Sequence, residues 1–270
     1  MVELEKKYQI GVRRFGLINW VGAYSLYKKE VLRFIIVSGQ TLLGPILTSI
    51  LFLVVISLAI GDERSDVLGV PYIEFLANGL IMMQVIQQSF SHSSSSLMMS
   101  KMMGTIVDIV NSPLSAAEVT IALVLASITR GLCIASISTF IFILFLDLSI
   151  KNYFLWFLYL FLAGFFLGSA GIIAGLYADK FDQMATVTNF VIVPLSFLSG
   201  TFYSIDKLPD ILKSLSYYNP FFHMIDGFRY SFINSMDGSI KFGLSYLLII
   251  SVVLWIIAYT LYKKGYKIKS

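Results

Sequence analysis

The strongest constraint in this sequence is a series of long apolar runs without charged side chains. Residues 34–60 contain no charge over 27 positions, and residues 152–178 repeat that pattern at the same length. A helix needs about 20 apolar residues to cross roughly 30 Å of hydrocarbon. Only 13% of the residues are charged, against about 25% in ordinary soluble domains. Because so few charges cannot cover a water-soluble globule, the chain is predicted to be an all-α integral membrane protein.

Six segments of this kind are predicted to form transmembrane helices within a single domain, 1–270. They are about 34–60, 72–90, 115–146, 152–178, 184–203 and 242–262. An even number of spans leaves both termini on one side of the membrane. That side carries thirteen Lys and Arg residues, whereas the opposite side carries six. Because cytoplasmic segments are enriched in Lys and Arg, both termini are predicted to be cytoplasmic.

The segment 1–33 precedes the first span and is predicted to contain a helix that lies in the membrane interface. Trp20 and Tyr24 recur at helical spacing, and aromatic side chains suit the headgroup level. Glu30 is expected on the opposite, polar face of this helix. Leu26 would interrupt the amphipathic pattern, since it falls outside the aromatic face.

The cytoplasmic segment 97–113, between the second and third spans, holds the first informative motif. Its Met-rich start favours a helix, and its end is marked by Asn111, Ser112 and Pro113. Proline is well tolerated at the first position of a helix, so Pro113 is predicted to begin the next helix with Ser112 as its N-cap. A short helix is therefore expected across the cytoplasmic face. Its apolar side would need a cover of lipid or of a soluble partner.

The segment 204–229, after the fifth span, is rich in aromatic residues and is interrupted by Pro209, Asn219 and Pro220. Apolar pieces of about ten residues are too short to cross a bilayer, but they can enter it and return where protein buries their backbone. The segment is therefore predicted to form a re-entrant helical hairpin on the outer face. Asp226 and Arg229 are three residues apart on one helix and are expected to pair with each other.

Two features inside the predicted spans need an explanation. Arg130 interrupts the third span, and a buried arginine is expected to face protein or water. Two interpretations stay open for it: pairing or snorkelling, and contact with an anionic substrate. The fourth span carries Gly164, Gly168, Gly171 and Gly175, whose spacing lets helix backbones approach closely. Packing within one subunit is the favoured role for these glycines, ahead of dimerisation.

The sequence contains no motif for catalysis or for nucleotide binding. The phosphate-binding pattern G-x-x-x-x-G-K-[ST] is absent, so no ATP site is predicted in this chain. His92 and His223, the two histidines, are assigned to opposite faces of the membrane and cannot share a metal. No catalytic residue, cofactor site or metal site is predicted. An intramembrane enzyme acting on lipid carriers and an ion-coupled secondary transporter stay open as alternative functions.

Several short motifs, in order and spacing, carry a family resemblance. They are Gly44-Pro45, Gly104-Thr105-Ile106, Ser112-Pro113-Leu114, Arg130-Gly131, Pro194, Leu198-Ser199-Gly200, Phe202-Tyr203, Leu208-Pro209, Asn219-Pro220 and Asp226-Gly227-Phe228-Arg229. On these residues the chain resembles the transmembrane subunits of ABC-2 type transporters. These are bacterial permeases that include drug, polysaccharide and nodulation-factor exporters.

The resemblance implies an inner-membrane permease that exports an amphipathic, lipid-linked or polysaccharide substrate. It also implies a second permease subunit, usually identical, and two copies of a separate ABC ATPase subunit that binds ATP and Mg. The first and fifth spans would form the seam between the permeases. Membrane lipid is the other expected partner, and no nucleic acid is expected.

The resemblance also assigns roles to individual residues. The contact with the ATPase, which couples it to the membrane, is assigned to Lys101, Gly104, Thr105, Asp108, Asn111, Ser112 and Pro113. The outer re-entrant gate is assigned to Gly200, Tyr203, Pro209, Asn219, Pro220 and Arg229.

Overall fold

A computed structural model describes residues 18–60, 66–146 and 148–267. Residues 1–17 of the predicted segment 1–33 lie outside the described residues, so the interfacial helix is described from residue 18 onward. The described part of the chain is helical, and its one β-type pairing is an isolated bridge between Val67 and Val70. The predicted all-α fold class is therefore confirmed.

Eleven α-helices follow one another through the described residues. The first six are α1 (Trp20–Ile36), α2 (Gly44–Ile60), α3 (Tyr72–Met102), α4 (Ile106–Asn111), α5 (Ala116–Phe145) and α6 (Tyr153–Tyr177). The others are α7 (Phe181–Val187), α8 (Val193–Phe197), α9 (Asp210–Tyr218), α10 (Pro220–Ile233) and α11 (Ile240–Lys263). Two π-helical segments, Gly39–Leu43 and Thr188–Ile192, directly precede α2 and α8, and a 3₁₀ turn covers Ile205–Lys207.

In the described part of the chain, four helical segments are long and apolar enough to cross a membrane. They are Gly39–Ala59, Ala116–Phe145, Tyr153–Tyr177 and Ile240–Lys263. The predicted second and fifth spans are also helical, but α3 is rich in polar residues and the fifth is divided into three short pieces. The count of six spans therefore stays a prediction.

Helix α3 continues well beyond residue 90, where its apolar run ends in a series of serines. Ser93 and Ser94 of this series are buried between helices and bond to backbone carbonyl groups. Ser93 Oγ donates to the carbonyl of Gly168 in α6 at 2.7 Å, and Ser94 Oγ donates to Phe90 O at 2.8 Å. Because these buried hydroxyls find acceptors, a polar stretch can continue the helix inside the bundle.

The two π-helical segments share a local cause. The N–H of Gly44 donates to the carbonyl of Gly39, five residues back, and Pro45 follows. In the same way, the N–H of Val193 donates to Thr188 O, and Pro194 follows. Proline has no N–H and its ring crowds the carbonyl four residues earlier. A widened π turn in front of each proline relieves that crowding.

The four glycines of α6 divide between two neighbouring helices of the same chain. A Cβ atom on Gly164 would lie 2.9 Å from Ile128 Cα of α5, and one on Gly168 would lie 3.1 Å from the Cβ of Ser127. Gly171 and Gly175 face α3 instead. A Cβ on Gly175 would lie 2.8 Å from the carbonyl oxygen of Ser94. Helix α6 therefore packs at backbone distance against both α3 and α5.

Helix α10 lies inside the bundle, and nearly all of its residues are buried. Gly227 of α10 is pressed against the ring of Tyr159 in α6, so that no side chain could fit there. Gly79 of α3 contacts the segment before α10, since a Cβ atom on it would lie 2.6 Å from the carbonyl oxygen of Thr201. The re-entrant course of the 204–229 segment stays a prediction, because burial alone does not fix its depth in a bilayer.

Helix α2 and the helices of the predicted fifth span lie at the edge of the bundle. Only 17% of the apolar window of the first span is buried within the chain. Leu51 and Leu58 of α2 are 63% and 82% exposed, and Phe190 of the fifth span is 78% exposed. These apolar faces are available to lipid or to another protein subunit.

Candidate functional site

The predicted coupling segment 97–113 joins the end of α3 to the start of α5. Helix α3 ends at Met102, and the chain turns at Gly104, which has a φ of +72°. This left-handed conformation strains any residue with a side chain, so glycine is favoured there. Helix α4 follows, and then the chain is extended at Ser112. The segment is therefore a short helix held between two turns.

Helix α4 has a buried face and an exposed face. Ile106 and Ile109 are 4% and 9% exposed and pack in a cluster with Leu26 of α1 and Tyr262 of α11. The other face carries the exposed apolar side chains of Val107 and Val110, and Met102 and Met103, just before α4, are exposed as well. An apolar face of this kind at the end of a bundle is typical of a contact surface.

Most residues that were assigned to the coupling contact are exposed, namely Gly104, Thr105, Asp108, Asn111 and Pro113. Ser112 is half-buried.

Lys101 was also assigned to the contact with a partner, but its side chain points back into the bundle. Its Nζ donates to the carbonyl oxygens of Leu176 at 2.8 Å and Ala178 at 2.7 Å, and lies 3.6 Å from the Asp179 carboxylate. The side chain is only 11% exposed. Burial lowers the pKa of Lys101 below its usual value, and the charge of Asp179 opposes that effect. Lys101 therefore caps the end of α6, since a lysine can satisfy the last carbonyls of a helix.

The prediction that Ser112 caps the helix beginning at Pro113 is wrong. Helix α5 begins at Ala116, and its N-cap is Ser115, which forms a capping box with Glu118. Ser112 ends α4 instead and donates its hydroxyl to Ile109 O at 2.6 Å. The pattern Ser-x-x-Glu at residues 115–118 would have identified the cap from the sequence.

Three residues join the starts of α1 and α5. Asn19 Nδ2 donates to the carbonyl of Pro113 at 2.9 Å, and the backbone N–H of Asn19 donates to Glu118 Oε1 at 2.6 Å. These bonds close one end of a groove of about 310 Å³ between α1 and α4, which is lined in part by Gly22, Lys29 and Asp108. The interfacial helix and the coupling segment therefore form one connected surface.

The structure agrees with the predicted aromatic face of the helix α1 but not with its predicted polar face. Trp20 and Tyr24 are 72% and 62% exposed, as an outward aromatic face requires. Leu26 and Glu30, however, face the protein and are buried. Glu30 accepts hydrogen bonds from Arg33 Nε at 3.0 Å and Ser96 Oγ at 2.7 Å, so a charged residue sits on the buried face. The sequence pattern missed this because it assigned every charge to solvent.

Arg130 lies in a polar cluster that spans three helices. It donates to the Gln88 side chain of α3 and to the carbonyl of Thr41 at 3.4 Å, in the π segment before α2. One helical turn from Gln88, Arg33 donates to the carbonyl of His92 at 3.0 Å. Both arginines therefore pair with groups inside the protein, which agrees with the structural interpretation of Arg130. Contact with a substrate stays open.

The outer segment brings four predicted gate residues together at the end of the fifth span. Gly200 has a φ of +72° in the turn after α8. Arg229 donates to the carbonyl of Gly200 at 2.8 Å, and Asn219 Nδ2 donates to Ser199 Oγ at 2.7 Å. Asn219 also caps α10, whose first residue is Pro220.

Of the two other predicted gate residues, Tyr203 follows Gly200 in the same turn and Pro209 lies further along the chain. Tyr203 is half-buried, and Pro209 is exposed in front of α9.

The expected pair between Asp226 and Arg229 is wrong, since among the described residues no ion pair joins them. The Asp226 carboxylate accepts hydrogen bonds from the backbone N–H groups of Asp237 at 3.0 Å and Gly238 at 2.8 Å. The guanidinium of Arg229 lies 3.6 Å from the centre of the Phe75 ring in α3. Each residue therefore fastens a different loop to α10.

Comparisons with known proteins identify the family. A sequence model described as "ABC-2 type transporter" matches residues 22–233. The chain belongs to the ABC-2 type transporter family. It is 31% identical to the inner membrane transport permease YadH of Escherichia coli K12 over 94% of this chain and 99% of that protein. It is also 25% identical to nodulation protein J of Sinorhizobium fredii over 87% of this chain and 89% of that protein.

The family match accounts for the predicted class of protein. An ABC-2 permease is a multi-pass membrane transport protein, and the apolar helices of this chain agree with that description. The matched range 22–233 includes α1, the coupling segment and α10.

Proposed function

We propose that this ABC-2 permease is the membrane subunit of an ATP-driven exporter. It forms the path for an amphipathic, lipid-linked or polysaccharide substrate, and a separate ABC ATPase, present in two copies, binds ATP and Mg. Two identical permease chains assemble side by side with their termini in the cytoplasm. The observation that carries this proposal is the apolar outer face of α4, which the chain itself leaves uncovered.

The contacts of the coupling segment support a mechanical role. At one end of the segment, Lys101 bonds to the last turn of α6, and at the other end Pro113 bonds to Asn19 before α1. Glu118 adds a bond between Asn19 and the first turn of α5. A displacement of α4 would therefore move three helices together. Closure of the ATPase would favour one arrangement of the path over another through its different affinity for the two states.

The exposed faces of the first and fifth spans support the proposed seam between two permease chains. The rings of Phe52 in α2 and Phe202 after α8 lie 5.4 Å apart, and Phe202 stacks on Phe197 at 5.0 Å. These two peripheral spans therefore meet within one chain and present a joint apolar surface. Their π turns are at Gly39–Leu43 and Thr188–Ile192, and such turns are frequent at functional sites.

Co-purification tests the proposal directly. A tagged permease should retain an ATP-hydrolysing chain, and inverted vesicles should show transport that vanadate inhibits. Val107→Glu should reduce the retained ATPase on the order of tenfold, because a carboxylate in an apolar contact loses its hydration. Ile211→Glu is the matched control, since Ile211 is 77% exposed but lies on α9, away from α4.

Two results would contradict the proposal. One is equal retention of the ATPase by Val107→Glu and the parent chain. The other is transport by the purified permease alone in vesicles without any nucleotide, which would favour a secondary transporter.

A further inference from the structure

A ladder of polar residues runs along one side of α3. Gln88, His92 and Ser96 are spaced by four residues, so they stand one above another about 5–6 Å apart. Each meets a different side chain: Arg130 contacts Gln88, Arg33 bonds to His92, and Ser96 donates to Glu30. Two guanidinium groups and one carboxylate are therefore held on three successive turns of one helix.

The charges of this ladder are not balanced. Glu30 pairs with Arg33, and among the described residues no carboxylate pairs with Arg130. Arg130 is 6% exposed, and its Nε–H has no hydrogen-bond partner in the described part of the chain. The guanidinium groups of Arg33 and Arg130 bond to residues one helical turn apart on α3, His92 and Gln88. A buried cation with a free donor is costly unless an anion completes the site.

The ladder opens towards the membrane-facing edge of the bundle. The side chain of Arg33 is 30% exposed, and Gln88 and Thr41 are half-buried. The Thr41 carbonyl that Arg130 contacts lies in the π segment of the predicted first span, beside the exposed Gln40. An anion could therefore reach the two arginines from the lipid between α1 and the first span.

The geometry favours phosphate as the anion. Two guanidinium groups that approach from neighbouring turns can share the oxygens of one phosphate, and a planar guanidinium matches phosphate with paired N–H donors. The side-chain NH₂ group of Gln88, whose oxygen accepts from Arg130, would donate to a further phosphate oxygen. The apolar surroundings of α2 suit an acyl or prenyl chain attached to that phosphate.

We propose that Arg33 and Arg130 form a binding site for the phosphate group of a lipid-anchored anion in the leaflet next to the coupling segment. This inference rests on the proposed function and narrows its substrate class to phosphate-bearing amphiphiles. Glu30 limits the affinity of the site, because its carboxylate occupies Arg33 and repels the ligand.

Lipid binding by the purified full chain tests the site without any ATPase. The probe is phosphatidylglycerol with a fluorescent acyl chain, titrated in detergent against unlabelled phosphatidylcholine and inorganic phosphate. Arg130→Gln and Arg33→Gln should each weaken binding on the order of tenfold, since each removes charge-assisted bonds. The lipid affinity of Arg130→Lys should lie between those of the parent chain and Arg130→Gln, because lysine keeps the positive charge but lacks the paired N–H donors of a guanidinium. Glu30→Gln should strengthen binding.

Lys28→Gln is the matched control, since it removes one exposed positive charge from the same helix and should leave binding unchanged. If Arg130→Gln does not fold, the other two variants still test the site, because Arg33→Gln should weaken lipid binding and Glu30→Gln should strengthen it. Weaker binding by Glu30→Gln, or no loss with Arg33→Gln, would overturn the proposal. Competition by inorganic phosphate as strong as by lipid would assign the site to free phosphate and reject the lipid-anchored ligand. Failure of these tests leaves the ATPase co-purification result unaffected.

Discussion

Lys101 Nζ donates a hydrogen bond to the carbonyl oxygen of Leu176 at 2.8 Å. This bond joins the last turn of α3 to the last turn of α6, within the segment 97–113 and ahead of α4. A lysine that was expected to face a partner therefore holds two helices of the same chain together. The proposed coupling surface therefore begins after it, at Met102.

Replacement of Lys101 by Met should destabilise the chain by about 1–3 kcal/mol. The reason is that the Leu176 and Ala178 carbonyls lose a charged donor in a place with little water. The measurement is thermal unfolding in detergent. Lys264→Met is the control, because Lys264 is exposed and should change stability by no more than about 0.5 kcal/mol. Equal effects of the two changes would contradict this role for Lys101.

The C-terminal end of α11 should come loose from the α6–α7 turn at acidic pH. Lys267 Nζ donates to Asp179 Oδ2 at 3.0 Å, and this bond lowers the pKa of Asp179 below its usual value. A carboxylate with a lowered pKa stabilises the folded contact above its unfolded pKa of about 4, and this contribution is lost as pH falls through the lowered value.

Hydrogen exchange of residues 261–267 measures this release. Exchange should be slow at pH 7 in the parent chain and faster in Asp179→Asn at the same pH. After correction for the intrinsic rate, acidification should speed exchange in the parent chain but add little in Asp179→Asn. A variant that still responds to acid would show that another group controls the contact.

Gly171→Ala in α6 should cost about 1–3 kcal/mol, because the added Cβ atom would lie 2.6 Å from the carbonyl oxygen of Phe90. Gly39→Ala is the matched control, since no atom lies within 4 Å of its added Cβ. That change should stay within about 0.5 kcal/mol. Unfolding in detergent distinguishes the two, and a mild effect of Gly171→Ala would mean that α3 and α6 can separate at little cost.

Ser115→Ala should destabilise the chain by about 1 kcal/mol, because it removes the N-cap of α5. Ser112→Ala should have a smaller effect, since Ser112 only ends the short α4. Thermal unfolding of both variants, compared with the parent chain, ranks the two serines. The reverse ranking would place the functional cap at Ser112.

Much of the fold follows from apolar runs, because a membrane leaves a helix few alternatives. The ranges 115–146 and 152–178 each contain one helix with ends close to those expected. Helix α3 was harder to predict past residue 90. Its serines are compatible with a helix only because α5 and α6 offer acceptors, such as the Gly168 carbonyl, and no local pattern reveals that.

For the site residues, too, local sequence patterns did not reveal contacts between distant segments of the chain. Gly104 and Asn219, which the family resemblance singled out, occupy positions with local backbone needs, a left-handed turn and a helix N-cap. The partners of Glu30, Asp226 and Arg229 depend on segments that are distant along the chain. Spacing alone paired Asp226 with Arg229, whereas tertiary structure gave each of them a backbone group to bind.

The π turn at Gly39–Leu43 has a consequence for how such permeases diverge. It inserts one residue beyond the normal helical repeat, directly between α1 and α2. Deleting a single residue there would convert the π turn into a regular α turn, and α2 would keep its orientation about its own axis. The wide turn can thereby absorb a one-codon change in length without redirecting the exposed apolar faces of α2.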